Sequence, residues 1–115
     1  MNLQVDWKEA YQKEMKLAVK ARDSGNEGMA RVCARRAAGI VIGEYLTRHG
    51  YPNTTNNAYA RLSFFISLPG VDQDCKGIAS HFLVKVNPDH ELPIPADLIS
   101  DAKWLEKTLL IDNQE

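Results

Sequence analysis

One stretch constrains this chain more than any other, NEGMARVCARRAAGIVIGEYLTRH from Asn26 to His49. Met29, Val32, Cys33, Arg36, Ala37, Ile40 and Gly43 recur at three-four spacing and so share one helical face. From Ala37 to Leu46 the opposite side is apolar as well, through Ala38, Val41, Ile42, Tyr45 and Leu46. A helix apolar nearly all round must be surrounded by other elements. Its small residues (Ala34, Ala37, Ala38, Gly39, Gly43) let neighbouring backbones approach closely. The expected fold is therefore an all-α up-and-down bundle of about five helices with a four-helix-bundle core.

Four further helices are predicted around it. Asp6 followed by Glu9 is a capping-box variant that starts a helix at Trp7, and Ser24-Gly25 stops it near Asp23. Its expected inner face is Trp7, Ala10, Tyr11, Leu17, Ala18 and Ala21. Gly50-Tyr51-Pro52-Asn53 ends the central helix, with Arg48 and His49 in the last turn where positive charge suits the dipole. A third helix is expected from about Thr55 to Ser67, started by Thr54-Thr55-Asn56 and buried through Tyr59, Leu62, Phe65 and Ile66. Asp72 caps a fourth, expected to reach Val86. A proline-bearing connection follows, and Pro95 suits the first position of a final helix. In that helix Leu98, Ala102, Leu105 and Leu109 face inward, whereas Ile99, Trp104, Leu110 and Ile111 fall off the stripe. Apolar residues on two sides suggest a subunit interface, hence a homodimer.

A chain of 115 residues is one domain with a core of its own. The formal net charge of −1 argues against a strong general nucleic-acid binder. The N-terminus does not read as a signal peptide, and the longest apolar run is short of a membrane span, so no membrane partner is expected. Cys33 and Cys75 are too far apart for a CxxC motif, and both sit in apolar helical patterns. Inert core thiols and a cytoplasmic location follow. Asp89, His90 and Glu91 are metal-ligand types, but adjacent loop residues rarely converge on one ion; neither a metal nor a cofactor is expected.

Two pairs carry possible chemistry. Glu14 falls near the centre of the first helix's apolar face. In an antiparallel hairpin centred near Gly25 it lies level with Arg36. A buried charge must be paired, so Glu14 and Arg36 are expected to form an ion pair, structural or part of a polar site. Glu44, on the central helix, joins them as a candidate binding residue. The second pair is Lys76 and His81 in KGIASH.

The long first hairpin, the alanine-rich ARRAAGIVIGEYL and the last helix after a proline-bearing loop together resemble the HEPN family. These are small helical bundles of prokaryotic toxin–antitoxin and nucleotidyltransferase-partner systems. The resemblance implies a binding or interaction module, partnering a nucleotidyltransferase or binding a nucleotide or RNA. Active members are metal-independent ribonucleases that use an arginine, four to six residues, then a histidine. Lys76 through His81 has that spacing with lysine in place of arginine, and Gly77 in place of the polar residue. Lysine offers phosphate a point charge where arginine offers a fork. The resemblance therefore implies a non-catalytic module, with a degenerate ribonuclease using Lys76 and His81 as the alternative. A structural bundle of unrelated ancestry is the third possibility.

Overall fold

The computed structural model describes residues 6–52 and 55–110. Those residues form five helices: α1 (Trp7–Asp23), α2 (Glu27–Arg48), α3 (Ala58–Ser67), α4 (Gln73–His81) and α5 (Leu98–Leu109). The fold is all-α, as the periodicity predicts. Helix α2 is the centre of it and packs against α1, α3 and α5. Ala30, Cys33, Ala34, Ala37, Ala38, Val41, Ile42 and Leu46 are all buried along its length. Among the described residues no helix is long and apolar enough to cross a membrane.

The first hairpin is locked at both ends. At the turn, the Asn26 amide donates to Ala21 O at 2.8 Å and Gly25 takes a φ of +80°, which a glycine adopts without strain. Beside it the Arg22 guanidinium grips the Glu27 carboxylate at 3.0 and 2.7 Å and reaches Asp97 at 3.1 Å. Arg22 thus ties the end of α1 to the starts of α2 and α5. At the far end Arg48 lies over the Trp7 ring at 5.8 Å. Gly50, at φ +76°, closes α2 as expected, with the Tyr51 amide donating to Leu46 O at 2.9 Å.

Helix α3 crosses α2 at unusually close range, and two glycines are the reason. A Cβ placed at Gly39 would lie 2.5 Å from the Ala58 Cβ and 2.8 Å from its Cα. One placed at Gly43 would lie 2.6 Å from Arg61 Nη1. The small residues of the central helix therefore do what the sequence suggests: they admit a neighbour's backbone.

Several expectations are corrected. Helix α3 begins at Ala58, capped by the Asn57 side chain on the Ala60 amide, not at Thr55. Tyr59 is 48% exposed, so it is not part of the buried stripe. On α1 Tyr11 and Ala18 are buried as expected, but Leu17 is exposed and Met15, outside the predicted face, is buried. Helix α4 stops at His81, five residues before Val86. Phe82 is the buried cap, and the chain then leaves the helix through a turn at Leu83 and Val84; β-branched Val84 and Val86 disfavour a further helical turn. Helix α5 starts at Leu98, capped by Asp97, three residues beyond Pro95. Ile99 and Leu110 are buried in the chain's own core, so the two-sided pattern that suggested a homodimer is largely used up within one chain, leaving Trp104 37% exposed. Asn53, Thr54 and Ile111 lie outside the described residues.

Two stability tests follow. The Arg22 hydrogen bonds hold the Glu27 carboxyl below its usual range, against the opposing effect of burial. Burial works against ionisation of Asp97 too, but the Ser100 amide and Arg22 outweigh it and hold that carboxyl low. Carboxyls depressed on folding stabilise above their unfolded values, about 4, and lose that contribution as pH falls through the folded ones. The melting temperature of Arg22→Ala is therefore expected below that of the wild type at pH 7, with the gap closing below about pH 4. Equal gaps at both pH values would show that Arg22 does not act through these carboxylates. Second, Gly39→Ala collides with backbone and should destabilise by about 1–3 kcal/mol, despite alanine's higher helix propensity. Gly43→Ala meets a side chain and should cost less, as read by urea unfolding.

Candidate functional site: a cationic cavity between α2 and α3

The site is built on the α2–α3 crossing. The first turn of α3, lying against Gly39, carries Arg61 across α2. Its Nε donates to Thr55 O at 2.8 Å and its Nη1 to Gly39 O at 3.1 Å. Both acceptors are neutral carbonyls. Burial lowers the Arg61 pKa from its ordinary value, although a guanidinium remains charged at any physiological pH.

Beside this crossing lies a cavity of about 1070 Å³. Helix α2 gives it Arg31, Arg35 and Arg36, and α3 gives Tyr59 and Arg61. The irregular segment after α4 gives Leu83, Val84, Lys85 and Val86, and α1 gives Glu14. The early end of α4 is what brings that segment to the wall. Asn56, Asn57 and Ala58 place the N-terminal end of the α3 dipole there as well. Among the described residues the wall thus carries five basic side chains and one carboxylate. None of the five is in an ion pair among the described residues. Among the described residues Arg31 donates to the His90 carbonyl, at 3.4 Å. The His90 loop is itself tightly wound: the Asn87 side chain accepts from the Asp89 and Glu91 amides, and His90 takes a φ of +63°.

Glu14 is the anomaly. Its Oε1 is buried and has no hydrogen-bond partner. The sequence register is sound, because Glu14 and Arg36 line the same cavity and both act on the Cys33 thiol. Burial raises that thiol's pKa, Glu14 raises it further and Arg36 opposes. The expected ion pair is nevertheless not made. Arg36 is exposed, and no contact within 4.0 Å joins it to Glu14. On α2 the small Ala30, Ala34 and Ala37 are fully buried, whereas Arg36 is turned to the surface.

The other candidate residues lie elsewhere. Glu44 accepts from Arg48 Nε at 2.9 Å within α2, away from the cavity wall. His81 Nδ1 is 2.8 Å from Asp101 Oδ2, joining the end of α4 to α5, and neither His81 nor Lys76 lines the cavity. Asp101 was not singled out by sequence and fixes the imidazole through its Nδ1. Cys33 and Cys75 are free, buried thiols, and burial raises the pKa of Cys75 too. No group of three or more metal-ligating side chains occurs among the described residues. Comparison of the chain with protein-family models, curated proteins and solved structures returned no match.

A buried carboxylate oxygen without a partner costs stability, about 1–3 kcal/mol. Glu14→Leu is therefore expected to raise the unfolding free energy by about 1 kcal/mol. Losses from Glu14→Ala and Arg36→Ala should add within about 0.5 kcal/mol, since the two do not bond. A loss of several kcal/mol in Glu14→Leu, or strong coupling in the cycle, would restore the ion pair.

Proposed function

We propose that this chain is a non-catalytic, HEPN-like binding module whose cavity between α2 and α3 takes a nucleotide or a similar phosphate-bearing ligand. One observation carries the proposal: five cations and a single carboxylate line one cavity, and none of the five is in an ion pair among the described residues, in a chain of net charge −1. Like charges gathered this way repel, and Arg31 and Arg35, four apart on α2, do so directly. An anion relieves that repulsion, and guanidinium forks match phosphate oxygens bidentately. The cavity volume is that of a small-molecule site. The HEPN-like resemblance adds a nucleotidyltransferase as a proposed partner.

The ribonuclease alternative draws less support, because Lys76 and His81 stand outside the cavity that gathers the cations.

Calorimetric titration with ATP and with inorganic tripolyphosphate tests the proposal. Both should bind, more weakly at 200 mM than at 50 mM salt. The double variant Arg35→Ala/Arg36→Ala should lose at least about tenfold in affinity, since each charged hydrogen bond contributes about 1.5–3 kcal/mol, with no loss of melting temperature. Absence of binding to either ligand would remove the proposal. Cleavage of single-stranded RNA in EDTA that disappears in His81→Ala would replace it with the ribonuclease.

A further inference from the structure

The cations explain why the cavity would hold phosphate, but not why Glu14 stands among them with a buried, unpartnered oxygen. A site for phosphate alone gains nothing from a carboxylate, which repels the ligand it is meant to hold. A carboxylate only accepts hydrogen bonds. Its natural complement is a ligand that is anionic at one end and presents N–H donors at the other.

Resting on the proposed nucleotide site, we infer that Glu14 selects the base, and that the ligand is a guanine nucleotide. Guanine alone among the common bases presents two adjacent donors, N1–H and the N2 amino group, which match the two oxygens of one carboxylate. Adenine and cytosine set their amino group beside an acceptor nitrogen, and uracil flanks its single N–H with two carbonyls. Each of these would turn a lone pair toward the Glu14 carboxylate. Arg35, Arg36, Arg61 and Lys85 are left for the phosphates, and Tyr59, half-exposed on the same wall, offers an aromatic face for the base.

The test is a calorimetric panel of GTP, ITP, ATP, CTP and UTP against the wild type and Glu14→Gln, without added metal. Glu14→Gln keeps the side chain's size, and its fold is checked by thermal melting. Charged hydrogen bonds at the base edge predict that the wild type binds GTP about 10- to 100-fold more tightly than ATP, with ITP, which lacks the N2 amino group, in between. In Glu14→Gln the GTP affinity should fall about tenfold or more while that of ATP holds or rises. Equal affinities of the wild type for all five, or an unchanged GTP-to-ATP ratio in Glu14→Gln, would overturn the role of Glu14 while leaving the phosphate site intact. If neither the nucleotides nor tripolyphosphate bind, the site and the base selection fall together.

Discussion

The first turn of α3 rests directly on the backbone of α2, and the cavity wall depends on that contact. Gly39 has no Cβ where Ala58 passes, and Gly43 has none where the Arg61 guanidinium lies. With side chains at those positions α3 would stand off, and Arg61 would lose its bond to Gly39 O. The same approach sets the N-terminal end of α3 beside the three arginines of α2. A short-range steric fact thus positions a long-range electrostatic one. Neither helix could build this cavity alone.

Elsewhere the chain manages its charges differently. Arg22 is satisfied by two carboxylates and Arg48 by Glu44, and His81 pairs with Asp101. These contacts fasten helix ends, where polar groups face partial exposure and solvent. At the cavity the pattern reverses: among the described residues the cations make no ion pair, Arg31 and Arg61 bond to neutral carbonyls, and the carboxylate makes no contact with the arginine level with it. Stability is given up in one place while it is conserved in others. Such local departures from good pairing are where binding sites are expected.

How much of this was legible in the sequence differs from element to element. The helix count, the hairpin, the glycine stop at Gly50 and the caps at Asp6 and Asp72 follow from local chemistry that the final packing leaves unchanged. The end of α4 was misplaced because periodicity continues through Phe82 to Val86 while the backbone does not. The partner of Glu14 was misassigned because register along a helix pair fixes height but not rotation. Alanines are buried on α2, while the larger Met29 and Arg36 are exposed. The cavity itself was missed: net charge averages over the whole chain, and Arg61 and Lys85 reach Arg31, Arg35 and Arg36 only through the tertiary fold. Arg31 and Arg35, one turn apart on α2 and followed at once by Arg36, were the available signal.

The cavity's place as the anion site is open to one direct measurement, an amide chemical-shift titration with inorganic pyrophosphate. Shifts should concentrate at residues 31–40, 56–61 and 83–86, the three segments that form the cationic wall. Shifts centred instead on Lys76, His81 and Asp101, or scattered over the lysines of α1, would contradict the assignment.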